Sequence, residues 1–309
     1  MPTLRLQLFG RFSATCGERA FNSFDSCKVQ DLFCYLALSR KPHSRDMLAD
    51  LLWGESNNSQ AKKYLRKALW QLQATLERNL GPLKQRIISV ETDWVRFNPE
   101  FDSWLDVGEF EKTCDMKAGT AGHELDDTTA RRLHEAVLLY NGELLEGCYQ
   151  DWCLFERQRL QNIYLATLDR LICYSEANGR YQQALTYAQE VLRNDPALER
   201  AHRQIMRIHF ALGDRVASLR QYQRCAAALK TDLGIRPSSR TRALFEKIQA
   251  DEPDSSSLLQ LADSLPVSTA SSLPEVLDHL KVFRSTLHSV LKQVQKDITA
   301  VESVLINRH

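Results

Sequence analysis

The sequence predicts a mainly α-helical protein. A small N-terminal β-sheet and a winged helix-turn-helix come first, then tetratricopeptide (TPR)-like helical repeats, and last an amphipathic helix. Three observations carry this prediction. Strand, helix and hairpin signals follow one another in winged-helix order within residues 1–99, two segments that begin 34 residues apart resemble each other, and apolar residues recur at heptad spacing from 274 onward.

The segment LRLQLFGRFSATCG places Leu4, Leu6 and Leu8 on one side of an extended stretch, and Gly10 allows a bend into a second strand over 11–16. From Lys28, apolar residues at Val29, Leu32, Phe33, Leu36 and Ala37 keep helical spacing, and Pro42 ends that helical region. Ser44 is then the N-cap of a second helix that buries Met47, Leu48, Leu51 and Leu52 and stops at Gly54. In the third helix, NSQAKKYLRKALWQLQATLE, residues Ala61, Leu65, Ala68, Leu69, Leu72 and Leu76 lie within about 60° of one line. Nearly opposite are Lys63, Lys67 and Trp70, flanked by Ser59 and Arg66, and the only acidic residue is Glu77 at the end. QRIISVETDWVRFNP reads as a hairpin turning at Glu91-Thr92-Asp93 and ending at Pro99.

A net charge of +1 hides a division along the chain. Residues 1–99 carry 15 Lys and Arg against 9 Asp and Glu, residues 100–250 carry 20 against 22, and residues 251–309 carry 5 against 8. Within 58–90 the balance is seven basic residues to one acidic, so a polyanion is the partner expected at the third helix.

Past Pro99 the pattern turns helical. GRYQQALTYAQEVLRNDP begins at Gly179 and GDRVASLRQYQRCAAALKTDLGIRP at Gly213, the TPR period, with Gly179, Tyr181, Ala184, Tyr187 and Pro196 at the positions such a repeat uses. Residues 100–250 are therefore expected to form a repeat domain of about three helix pairs, suited to contact rather than chemistry. Residues 251–273, rich in Ser and Pro, read as a linker. In 274–309 the heptad places Leu280, Leu287, Val294 and Val301 at one seam position and Phe283 and Val290 at the next, so self-association into an oligomer is expected there.

The eight cysteines are scattered without a C-x-x-C, which fits reduced core thiols. Nucleotide-binding, hydrolase and metalloprotease motifs are absent, so no enzyme, cofactor or metal is expected. No apolar run is long enough for a membrane span and MPTLRLQLFG alternates, so a cytoplasmic protein is expected. The candidate nucleic-acid contacts on the third helix are Ser59, Lys62, Lys63, Arg66, Lys67, Trp70 and Gln71, with Arg86 and Arg96 on the wing. Lys and Arg neutralise phosphates, while Arg66, Trp70 and Gln71 have the reach for base edges or sugar. The rival expectation is a TPR-type adaptor between proteins whose winged helix does not grip DNA.

The ordered segments LRLQLFGRF, LFCYLAL (32–38), LADLLWG (48–54), LRKALWQLQATL (65–76), LYNGELLEG (139–147), ERAHRQIMRIHFALGD (199–214) and LRQYQRCAAALKTDLGIRPS (219–238) resemble the bacterial SARP family, the Streptomyces antibiotic regulatory proteins. These join an OmpR-type winged helix to a bacterial transcriptional activation domain. The resemblance implies an activator that binds repeated sites in double-stranded promoter DNA and recruits RNA polymerase, with 60–77 as its recognition helix. This chain departs from the family pattern at Trp70 and Gln73 on that helix and at Asp93-Trp94 in the wing.

Overall fold

The computed structural model describes residues 3–80, 86–116 and 119–250. The expected linker 251–273 and the 274–309 helix, with Leu280, Phe283, Leu287, Val290, Val294 and Val301, lie outside the described residues.

Strand β1 (Leu4–Gln7) buries Leu4 and Leu6 and pairs antiparallel with β2 (Ser13–Cys16), which pairs in turn with β3 (Arg19–Phe21). Helices α1 (Cys27–Ser39), α2 (Arg45–Trp53) and α3 (Asn58–Leu80) follow, with the two-residue strand β4 (His43–Ser44) between the first two. Ser44 caps α2, its Oγ accepting from Met47 N at 3.2 Å, and Leu48 and Leu52 are buried while Met47 and Leu51 are half-buried. The hairpin β5 (Ile88–Val90) and β6 (Trp94–Phe97) turns where the sequence expects it, and β4 adds to its β6 edge to give a three-stranded sheet. Phe12, Phe21, Phe24, Phe33 and Phe97 form a connected aromatic cluster between the first sheet and the helices.

The N-terminal sheet does not stop at residue 99. Strand β7 (Ser103–Leu105) pairs in parallel with β1, Leu4 opposite Ser103 and Leu6 opposite Leu105, giving the order β3-β2-β1-β7. Asp106, which opens α4 (Asp106–Asp115), is 3% exposed, and its Oδ2 accepts from Leu8 N at 2.8 Å and Phe9 N at 3.0 Å. Burial pushes its carboxyl up, and these N–H donors together with Val107 N pull the other way.

The remaining helices are α5 (Asp127–Leu139), α6 (Asp151–Ala177), α7 (Tyr181–Asn194), α8 (Glu199–Ala211), α9 (Arg215–Asp232) and α10 (Ser239–Ala250). Among them α6 packs most extensively on α7, and α8 on α9. Each pair closes through the same turn. Gly179 at φ +67° lets Arg180 N reach Ser175 O at 2.8 Å, and Gly213 at φ +78° lets Asp214 N reach His209 O at 2.9 Å. The two self-similar segments therefore each begin at the turn into the second helix of a hairpin.

Replacing Asp106 with Ala would leave two buried N–H groups of the β1 end without an acceptor. Urea denaturation of Asp106→Ala is expected to give a loss of about 2–4 kcal/mol with the m-value unchanged.

Candidate nucleic-acid interface

Helix α3 separates its residues as the periodicity requires. Ala61, Leu65, Ala68, Leu69, Leu72 and Leu76 are buried, joined by Thr75 and Leu80, in the core shared with α1 and α2. Asn57 caps the helix, its Oδ1 accepting from Gln60 N at 2.9 Å. Ser59, Lys63, Arg66 and Lys67 are exposed, and Trp70 is 69% exposed, a large value for an indole. Lys62 and Gln71, on the shoulders of this face, are half-buried.

The lysines are not equivalent. Lys62 Nζ stands 2.9 Å from Asp46 Oδ1 in the first turn of α2, whereas among the described residues no ion pair engages Lys63, Arg66 or Lys67. The free positive charge therefore sits on three side chains of one face. Beside it, a cleft of about 510 Å³ opens where α2, α3 and the hairpin turn converge, lined by Ser44, Arg45, Asp46, Ser59, Lys62 and Arg66 together with Leu65 and Asp93.

The hairpin is fastened to the start of α2. His43 and Ser44 pair with Val95 and Trp94, and Arg45 N donates to Asp93 O at 2.9 Å. Arg86 is exposed just before β5, its carbonyl accepting from Asn98 Nδ2 at 2.9 Å. Arg96 is half-buried on β6 and borders a hollow of about 290 Å³ with Pro42, Glu91 and Trp94, and its Nε is buried with no hydrogen-bond partner. Arg86 is thus freer to meet an external phosphate than Arg96.

Two neighbours of this face escape sequence reasoning: Asp46 neutralises a candidate contact, and Arg45 N ties the hairpin to α2. Trp94, which the sequence marks as a departure from the family pattern, is 49% exposed beside the turn. The Lys62–Asp46 pair depends on the angle between two helices and leaves no mark in the spacing.

Elsewhere, His202 is 4% exposed and packed, with ring nitrogens at 2.9 Å from Pro196 O and 2.8 Å from Gln221 Nε2. Asp126 caps α5, accepting from Thr129 N at 2.7 Å, and Asp127 meets Tyr174 Oη and the Arg180 guanidinium. Among the described residues no cluster of His, Cys, Asp and Glu has metal-holding geometry, and no helix is long and apolar enough to cross a membrane.

Residues 105–249 match the family of the bacterial transcriptional activator domain, from the last residue of β7 nearly to the end of α10. In fold the chain is similar to Mycobacterium tuberculosis EmbR, solved in complex with a low-affinity phosphopeptide. The TM-score is 0.66 at 20% identity, over 82% of this chain and 66% of that chain, so this chain accounts for just under two thirds of the EmbR length. No curated protein sequence matches. Residues 105–249 are thus similar to a bacterial transcriptional activator domain, and they follow a small sheet-and-helix head. The likeness to EmbR, at 20% identity, is one of fold.

The side chain of Ser44 caps α2, while its backbone pairs with Trp94 of the hairpin. Ser44→Ala is expected to cost about 1 kcal/mol of stability in urea melts, the ordinary value of an N-cap.

Proposed function

We propose that the chain is a transcriptional activator that binds double-stranded promoter DNA with the outer face of α3. The observation that carries the reading is the set of exposed, ion-pair-free Lys63, Arg66 and Lys67 opposite a fully packed stripe. A helix enters the B-DNA major groove with its outer face toward the bases, which suits Arg66, Trp70 and Gln71 for bases or sugar and Ser59, Lys63 and Lys67 for phosphates. Arg86 and Arg96 serve as backbone contacts from the wing.

In this reading residues 1–99 are the DNA-binding head and 100–250 the activation domain, which contacts RNA polymerase, while 251–273 links them to a 274–309 helix that pairs copies of the chain. Two heads held together would occupy repeated sites at high effective concentration. The protein acts in the cytoplasm, without cofactor or catalytic step.

The test is fluorescence anisotropy on duplexes tiling the gene's own upstream region, at several salt concentrations. Lys63→Ala/Arg66→Ala/Lys67→Ala is expected to bind far more weakly, with a salt slope shallower by about 2–3, since each phosphate contact contributes about 0.9. Equal binding and equal slope for wild type and triple variant would remove α3 as the reader.

The same titration gives a sharper outcome at Asp46. Asp46→Asn releases Lys62 and is expected to tighten binding and steepen the slope by up to about 0.9, with little change in stability because the pair is exposed.

A further inference from the structure

A hollow of about 190 Å³ opens in the helical repeats where α5, α6 and the start of α7 meet. Ala130 and Leu171, both buried, give it an apolar lining, and the other side chains that line it carry polar or charged groups.

The hydrogen bonds around this hollow leave donors for a ligand. Tyr187, 5% exposed, accepts at its Oη from Gln183 Nε2 at 3.0 Å and stands 2.9 Å from His134 Nδ1. Burial pushes this phenol up, so it keeps its proton, and Nδ1 is the acceptor in line for it. The imidazole is then the Nε2–H tautomer, and among the described residues no hydrogen bond engages Nε2.

The two arginines of the hollow differ. Arg180 is positioned by a closed set of contacts: its Nη1 donates to Tyr174 Oη at 3.0 Å, its Nη2 lies 3.5 Å from Asp127 Oδ1, and Tyr174 Oη donates to the same carboxylate. The guanidinium also sits over the Tyr174 ring, 5.3 Å from its centroid. Arg131, exposed on α5, has no ion pair among the described residues.

Charge and size define the ligand. Arg131 and Arg180 bring two positive charges and Asp127 one negative, which leaves one positive charge to balance. A monoanion does so, whereas a dianion meets repulsion from Asp127. The planar fork of a guanidinium matches a carboxylate. The volume lies below the about 300 Å³ at which pockets for drug-sized ligands begin, which suits a small acid better than a peptide segment. The larger hollow between α4 and α6, about 530 Å³, has its arginines already engaged, Arg159 with Glu111 and Glu156 and Arg170 with the carbonyls of Cys114 and Met116.

We propose that the hollow between α5, α6 and α7 binds a small free monocarboxylic acid. Its carboxylate is held by Arg131, Arg180 and the His134 Nε2–H, and its short apolar part lies against Ala130 and Leu171.

The test titrates benzoate, propionate and succinate into the full chain and follows them by saturation-transfer NMR. Benzoate and propionate are expected to bind, and succinate more weakly than either. Arg131→Gln is expected to weaken benzoate about tenfold, the loss of one charge-assisted hydrogen bond. Because Arg131 is exposed and unpaired, that loss does not come from unfolding. Asp127→Asn is expected to tighten benzoate and to admit succinate. Absence of signal from both monocarboxylates overturns the proposal, as does equal benzoate affinity in wild type and Arg131→Gln. A wild-type preference for succinate, or for a blocked peptide carrying one aspartate, overturns the assignment to a small free monoanion.

Discussion

The end of strand β1 is the fastening point of the molecule. Leu8, Phe9 and Gly10 turn five backbone groups toward partners more than 90 residues away. Leu8 N and Phe9 N go to the Asp106 carboxylate, Leu8 O receives Leu145 N at 2.8 Å, and Gly10 receives Glu146 N and donates to Glu143 O, each at 2.8 Å. A buried backbone group left unpaired costs as much as a hydrogen bond lost, so these three residues commit the N-terminal sheet to the segment that precedes α6. Gly142 makes the approach possible, since a Cβ there would come within 3.0 Å of Gly10 Cα. Phe9 then packs on Phe110 and Tyr140, and Tyr140 stacks on Tyr164 of α6 with ring centroids 4.2 Å apart.

What the sequence makes legible follows this division between local and distant. The α3 stripe, the alternation in β1, the Ser44 cap, the hairpin and the 34-residue repeat are each written in spacings of two, three to four, or one repeat, and the fold contains them. The pairing of β7 with β1, the role of Asp106 and the two-residue β4 carry no periodic signal, because each depends on a partner far along the chain. The basic face was legible as charge on one side of a helix. Which of its lysines is already neutralised was not, because Asp46 belongs to another helix.

The proposed reading face owes its geometry to ties that do not touch its outer side chains. The pairing of β4 with β6 and Arg45 N on Asp93 O join the start of α2 to the hairpin, Ser44 caps α2, and α3 is held by its buried stripe. Charged side chains on such a scaffold keep their rotamer freedom in water, but their Cα positions are set before any ligand arrives. Preorganisation of this kind lowers the ordering cost of binding, which otherwise consumes much of the energy that phosphate contacts supply.

Helix α1 lies between that face and the repeats, and its polar residues show how the two are joined. One side carries Val29, Leu32, Phe33 and Leu36 into the core on which α3 packs. From the same helix, Lys28 Nζ donates at 2.7 Å both to Leu52 O in the last turn of α2 and to Gln150 Oε1 just before α6, Asp31 accepts from Cys148, and Tyr35 meets Trp152 edge-on at 5.3 Å. A displacement of residues 148–152 therefore acts on three side chains of α1, one of which also holds the end of α2. Because packed interiors shift between discrete arrangements rather than deform smoothly, these contacts make α1 the element through which residues 148–152 and the end of α2 are tied.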